Sequence, residues 1–133
     1  MNIKKYIFCL ITTCACFSSV PAHAISASID LKAIRGTSAS GHIDSISISK
    51  IRSKRFKIKL NKNQYIFPVC IQNHNTVSCS RSTSYYLGGG QFDTEKLTFS
   101  FNINNKAAQK VNLISLWLTS KNFARWNGDL IIK

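Results

Sequence analysis

Apolar and polar residues alternate with a period of two along most of the chain after residue 24. This alternation predicts strands that bury one face and expose the other. The clearest runs are Ala27 to Ala33, Phe56 to Leu60 and Leu97 to Ile103. Turn-forming residues separate seven or eight such segments at intervals of about ten residues. We therefore predict an all-β fold, a small antiparallel β-sandwich or barrel of about seven to eight strands.

Four segments need separate interpretation. Pro68 interrupts the apolar run from Tyr65 to Ile71 and predicts an edge position or a bulge. Residues 81–91 contain three consecutive glycines and few apolar residues, which predicts a mobile loop. Residues 107–119 fit either a strand or a helix by their apolar spacing, and we favour a strand. Asn127-Gly128 is a dipeptide typical of hairpin turns.

The spacing of two cysteines predicts a disulfide that crosses a hairpin. If His74-Asn75 is a two-residue turn, residues whose numbers sum to 149 face each other, and Cys70 faces Cys79. This pair occupies a non-hydrogen-bonded position, where Cα atoms lie about 4.5 Å apart. That separation is at the short end of the usual disulfide range of about 4.4–6.8 Å. Turn, register and disulfide therefore agree.

Residues 1–24 have the organisation of a secretory signal peptide. Lys4 and Lys5 precede an apolar run, and Ala22-His23-Ala24 supplies the small residues of a cleavage site. Cleavage after Ala24 leaves a single β-rich domain over residues 25–133. A lipoprotein acylated at Cys14 or Cys16 is a minor alternative, since the residues before these cysteines fit a lipobox poorly. We predict a periplasmic, secreted or cell-surface location, with no transmembrane segment in the mature chain.

The chain is strongly basic, with 18 Lys and Arg against 5 Asp and Glu. One stretch supplies a candidate partner-binding basic face, formed by Lys50, Arg52, Lys54, Arg55, Lys57, Lys59 and Lys62. Its parity is broken between Ser49 and Lys54, which predicts a turn or bulge there. The expected partner is an envelope protein or an anionic surface, such as lipopolysaccharide or an acidic protein. The competing interpretation is an ordinary solvated face, and nucleic acid is not favoured for an exported chain.

The residues that catalysis requires are scarce. His42 and His74 do not form a metal-ligand spacing, and no Gly-x-Ser-x-Gly elbow or phosphate-binding loop is present. Asp93 and Glu95 would share one side of an extended segment, but beside a glycine run they are more often solvated. We therefore predict no enzymatic activity, no catalytic or metal-binding residues and no cofactor.

Aromatic residues supply the other candidate site. Tyr85, Tyr86, Trp117 and Trp126 are candidates for stacking against a ligand, while the two tryptophans also suit a place in the core. The composition, rich in Asn, Ser, Ile and Lys, is typical of bacteria. We expect a non-enzymatic exported accessory protein of a cell-envelope structure, such as a pilus, secretin or secretion system, that acts by protein–protein contact.

Two other functions remain open. One is a secreted adhesin or a lectin-like toxin binding subunit, which would form a homo-oligomer. The other is a periplasmic inhibitor or immunity protein that binds an acidic enzyme through the basic face.

Overall fold

We describe residues 24–133 from a computed structural model. Every regular element among them is a strand. In chain order the strands are β1 (Ala24–Ile25), β2 (Ala27–Ala33), β3 (His42–Ile43), β4 (Ile46–Arg52), β5 (Arg55–Leu60), β6 (Tyr65–Asn73), β7 (Thr76–Gly88), β8 (Gln91–Asn102), β9 (Gln109–Trp117) and β10 (Phe123–Ile132). The predicted signal peptide lies outside the described residues apart from Ala24. Within residues 24–133 there is no helix long and apolar enough to cross a membrane.

All ten strands belong to one antiparallel sheet in the order β1-β4-β5-β6-β7-β8-β9-β10-β2-β3. The sheet curls into a half-barrel. The first extended segment connects its two ends, because β1 pairs with β4 while β2, one residue further on, pairs with β10. The curl gives the sheet an inner face, which carries the core, and an outer face toward solvent.

The predicted all-β class is confirmed, with slightly more strands than expected. The ten strands lie on eight extended segments of the chain, because two segments each contain a break. Ser26 separates β1 from β2, and residues 44–45 separate β3 from β4. The alternation in the sequence is continuous across Ser26, so it did not predict that break.

The core is built by the predicted alternation. Phe56, Ile58 and Leu60 are buried on the inner face of β5. On β8, Leu97 and Phe99 are buried in the same way, and Phe99 contacts Phe67 of β6 with ring centroids 6.4 Å apart. Each such side chain contributes about 1.5–3 kcal/mol through the removal of apolar surface from water.

The hairpin of β6 and β7 has the predicted register and disulfide. Asn73 pairs with Thr76, and Cys70 pairs with Cys79 at a Cα separation of 4.4 Å. The two residues of the turn are His74 and Asn75, and His74 has a φ of 58°. The prediction was correct because the turn length alone fixes which residues face each other.

The mobile loop predicted over residues 81–91 is wrong. β7 extends to Gly88 and β8 begins at Gln91, so Gly89 and Gly90 alone connect them. The three glycines adopt φ values of 95°, 62° and 77°, which residues with a Cβ rarely do. The glycine run therefore makes a tight turn between two long strands.

The hairpin turn predicted at Asn127-Gly128 is also wrong, because both residues lie inside β10 and pair with β2 and β9. A Cβ on Gly128 would lie 1.9 Å from the backbone oxygen of Asp30. The glycine is therefore explained by the close approach of β2, a long-range contact that the local sequence does not reveal. Residues 107–119 form β9 over Gln109–Trp117, so the preference for a strand there is confirmed.

Candidate functional site

β6 and β7 pair over only four residues each and then separate. Cys70–Asn73 pairs with Thr76–Cys79. Beyond Cys79, β7 continues from Ser80 to Gly88, and in the described part of the chain it pairs there only with β8. The other half of β6, from Tyr65, likewise pairs only with β5 among the ten strands. A gap therefore opens between the two strands beyond the disulfide, and we call Ser80–Gly88 the β7 edge.

Pro68 explains why β6 leaves β7. Cys70 pairs with Phe56 and Phe67 pairs with Ile58, so Pro68 and Val69 together oppose the single residue Lys57. This is a β-bulge, one of the two outcomes predicted for Pro68, and a bulge bends its strand. Proline also has no N–H to donate to a neighbouring strand. The bulge therefore directs β6 away from β7 just beyond the disulfide.

Within residues 24–133, part of the backbone hydrogen-bonding groups of the β7 edge have no partner strand. The carbonyl oxygen of Thr94 accepts a hydrogen bond from the N–H of Leu118 at 2.9 Å, so it is directed toward β9. Thr94 faces Ser84, whose own N–H and C=O are therefore directed away from β8. By the alternation of an antiparallel ladder, the same holds for Ser80 and Ser82. Among the described residues, no backbone hydrogen bond joins these groups to β6.

The outer-face side chains of the β7 edge do not protect it from pairing with another strand. Between Ser80 and Gly88 there is no Pro, and the one charged residue, Arg81, lies on the inner face. The outer-face side chains include the small hydroxyls of Ser80, Ser82 and Ser84. On the outer face an incoming strand would therefore meet neither a charge nor a bulky side chain at Ser80, Ser82 and Ser84, whereas on the inner face it would meet Arg81.

Arg81 connects β7 to the rest of the molecule across the gap. Its Nη1 donates to the carbonyl oxygen of Ile66 at 3.0 Å, and its Nη2 lies 3.6 Å from Oε1 of Glu95. The Oγ of Ser115 donates to Oε2 of Glu95 at 2.6 Å. Burial raises the pKa of the neighbouring Tyr65 hydroxyl, and the charge of Glu95 raises it further. We call the β7–β8 hairpin the arm. The contacts of Arg81, Glu95 and Ser115 hold its base.

Asp93 holds the turn that follows β9. Its Oδ1 accepts from the N–H groups of Thr94 and Thr119, each at 2.9 Å, and its Oδ2 accepts from the N–H of Ser120 at 3.3 Å. Burial acts to raise the pKa of Asp93, but these hydrogen bonds favour the carboxylate and leave the pKa below its usual value. The carboxylates of Asp93 and Glu95 therefore both serve structural hydrogen bonds.

Three of the four candidate aromatics lie at the arm. Tyr85 and Trp117 meet on the inner face with ring centroids 5.1 Å apart, and Tyr86 contacts Phe92 on the outer face, also at 5.1 Å. Tyr86 is 63% exposed and Tyr85 43%. Trp126 is buried instead, contacts Tyr65 at 5.4 Å and donates from Nε1 to the carbonyl oxygen of Ser40. The structure thus separates Trp126 from the other three.

The seven basic candidates lie elsewhere, on and around β5. Arg55, Lys57 and Lys59 share its outer face. Lys50, Arg52 and Lys54 surround the turn between β4 and β5, where the register shifts between Lys50 and Arg52 as the broken parity predicted. The seventh, Lys62, occupies the turn after β5 with a φ of 60°.

The two histidines are far from forming a metal site. His42 contacts the Asp30 carboxylate, whose pKa the His42 hydrogen bond lowers, and His74 lies in the β6–β7 turn. Within residues 24–133, no cluster of three His, Cys, Asp or Glu side chains could hold a metal ion.

Sequence reasoning did not identify the β7 edge or the residues that support it. The sequence assigns no role to Arg81, Ser115 or Phe92, because a loop over residues 81–91 leaves no β7 edge for these residues to support. A signal was present, since Ser80, Ser82 and Ser84 alternate with Arg81, Thr83 and Tyr85 up to the glycines. Polar alternation of this kind is weaker evidence for a strand than apolar alternation.

Comparisons with known proteins give no further indication of function: no family model, no curated protein and no solved structure matches the chain.

Proposed function

We propose that this protein is a non-enzymatic, exported accessory protein of a bacterial cell-envelope structure, and that it binds a partner protein by β-strand addition to the β7 edge. The observation that carries the proposal is the row of backbone groups at Ser80, Ser82 and Ser84, which no strand of residues 24–133 pairs with. An extended partner segment in the gap would pair with them and continue the sheet. Each new hydrogen bond would contribute about 0.5–1.5 kcal/mol net.

The arm also provides recognition beyond the backbone. A partner strand beside β7 would place alternate side chains on the two faces of the sheet. Those on the inner face would approach Tyr85, and those on the outer face would approach Tyr86 and its neighbour Phe92. Apolar side chains near the end of the partner segment therefore suit this site.

The experiment uses two variants at one position. Ser82→Pro removes an N–H that is directed into the gap and takes no bond from the β7–β8 ladder, while Ser82→Ala removes only the hydroxyl. The immobilised chain captures its partner from an envelope extract of the producing cell. We expect capture by the wild type and by Ser82→Ala, and at least tenfold less by Ser82→Pro. Circular dichroism and the melting temperature establish that all three are folded.

The purified partner then provides the decisive measurement. Binding through the β7 edge should slow amide hydrogen exchange at Ser80, Ser82 and Ser84. Undiminished capture by Ser82→Pro, or unchanged exchange at these amides, would exclude strand addition here. If the chain instead forms dimers that Ser82→Pro abolishes, the partner strand comes from a second copy.

A second function is favoured by the contact of Tyr85 with Trp117, which places two partly exposed rings side by side on the inner face. Such a pair suits stacking against a sugar ring, as in an adhesin or a toxin binding subunit. Glycan-array binding that is lost in Tyr85→Ala and kept in Tyr86→Ala would support it. A blank array would contradict it, and Ser82→Pro distinguishes the two functions because it leaves both rings in place.

A further inference from the structure

The outer face of β6 is unusual for a strand exposed to water. On β7 the outer residues beside the disulfide are Ser78 and Ser80, as expected for a solvated face. On β6 the corresponding outer residues are Val69, 46% exposed, and Ile71, 51% exposed, with Pro68 beside them. β6 is therefore apolar on both faces, since Phe67 and Cys70 are buried on the inner one.

A row of cations lies directly beside this apolar row. Arg55 pairs with Ile71, and Lys57 opposes the bulge of Pro68 and Val69, so cationic and apolar side chains are neighbours on one surface. On the other side of β5, the bulge of β4 adds Ile51, 47% exposed, and Arg52. We call Ile51, Arg52, Arg55, Lys57, Val69 and Ile71 the β5–β6 patch.

The patch has one sign of charge. None of the five Asp and Glu residues lies on β4, β5 or β6. The ion pairs among the described residues, His42 with Asp30, Arg81 with Glu95 and Lys110 with Asp129, involve none of its residues. Its cations are therefore available to an external anion.

We propose that the β5–β6 patch docks the protein on the surface of an anionic phospholipid membrane. The cations would contact the headgroup phosphates, while Ile51, Val69 and Ile71 would enter the boundary between headgroups and acyl chains. Exposed aliphatic side chains distinguish this occupant from a nucleic acid, which would be bound by cations and aromatic rings. The patch adjoins the start of the β7 edge on the outer face, because Val69 and Ile71 lie beside the Cys70–Cys79 pair and the β7 edge begins at Ser80.

The test is sedimentation of the full mature chain with vesicles. We expect binding to vesicles of phosphatidylglycerol mixed with phosphatidylcholine, and at least tenfold weaker binding to phosphatidylcholine alone. Binding should weaken with salt, because the Debye length falls from about 10 Å at 0.1 M to about 3 Å at 1 M. Equal binding to both vesicle types, or none to either, would overturn the proposal.

Two double variants separate the contributions of charge and apolar contact. Arg55→Glu with Lys57→Glu should reduce binding at least tenfold. Val69→Ser with Ile71→Ser keeps every charge and should still reduce vesicle binding several-fold. If charge attraction alone caused the binding, this variant would bind as the wild type does. The matched control is Lys96→Glu with Lys106→Glu, which changes the net charge equally at exposed residues outside the patch. An equal loss in this control would overturn the proposal.

Other occupants of the patch give different results. A dimer of the free chain that Val69→Ser with Ile71→Ser converts to monomer would assign the patch to a second copy and overturn the membrane proposal. Ser82→Pro should leave vesicle binding unchanged, which keeps this test independent of strand addition at the β7 edge. Unaltered melting temperatures of the serine variants establish that any loss is not due to unfolding, as expected for exposed side chains.

Discussion

Arg81 of β7 reaches across the gap to β6 and donates from Nη1 to the carbonyl oxygen of Ile66 at 3.0 Å. The hydrogen bond spans strands that no longer pair through their backbones. On its other side, the guanidinium lies 3.6 Å from Glu95 on β8. One side chain thus joins three strands at the base of the arm, where the sheet pairs β7 with β8 but not with β6.

Arg81→Ala should therefore destabilise the protein. It removes a charged donor from a carbonyl and leaves the largely buried Glu95 with Ser115 alone, a loss of about 1.5–3 kcal/mol for hydrogen bonds of charged groups. Urea unfolding measures it as a lower midpoint. Ser82→Ala, one residue away on the outer face, is the control and should change the midpoint little. Equal midpoints for the two variants would contradict a structural role for Arg81.

Hydrogen exchange of the free chain should alternate along the β7 edge. The amides of Ser80, Ser82 and Ser84 are directed into the gap and should exchange rapidly, whereas those of Arg81 and Thr83 bond to β8 and should exchange slowly. Residue-resolved NMR in D₂O measures each amide. Ser78 provides an internal control, because it pairs with Ile71 of β6 and its amide should be protected from exchange. Uniform protection from Ser78 to Ser84 would mean that the edge is closed.

The sequence predicted those features of the fold that depend on local pattern. Phe56, Ile58 and Leu60 alternate with cations, and their burial followed directly. The disulfide followed from the length of one turn. The break at Ser26 could not be predicted in this way, because it arises where one segment changes its partner from β4 to β10. The position of the chain in the whole sheet decides that change.

The candidate site was less accessible to sequence reasoning than the fold. Tyr85, Tyr86 and Trp117 were selected as aromatics beside glycines, and the structure places all three at the arm. The contact of Tyr85 with Trp117 depends on the register of β7 with β8 and of β8 with β9, which no local pattern specifies. The β7 edge depends on the absence of a neighbour, and only the arrangement of the strands reveals such an absence.

Gly128→Ala should be strongly destabilising. The added Cβ would lie 1.9 Å from the backbone oxygen of Asp30, so β2 or β10 must move. β2 belongs to the extended segment that connects the two ends of the sheet. Overpacking of this kind costs about 1–3 kcal/mol, and a backbone neighbour places the cost at the upper end. Thermal unfolding measures it. Asn127→Ala, the preceding outer-face residue, should have a much smaller effect, and similar melting temperatures would contradict the close approach of the strands.

Acid should weaken the end of the molecule that Asp93 holds together. Its carboxylate accepts three backbone N–H groups, and its pKa in the folded chain is below the value of about 3.9 found in unfolded peptides. A lowered pKa gives stability that is present above the unfolded pKa and is lost as the pH falls through the folded one.

The wild type should therefore lose stability from about pH 4 downward, more steeply than Asp93→Asn, which has no carboxylate to protonate. Urea midpoints measured from neutral pH to below pH 3 test this. Asp129→Asn is the control. The Asp129 carboxylate forms an exposed ion pair with Lys110, and such pairs contribute little to stability, so this variant should keep nearly the acid slope of the wild type. If Asp93→Asn keeps the full acid slope of the wild type, other carboxylates cause the loss. If instead the slope flattens, the backbone hydrogen bonds of Asp93 link the turn after β9 to the arm in a pH-dependent way.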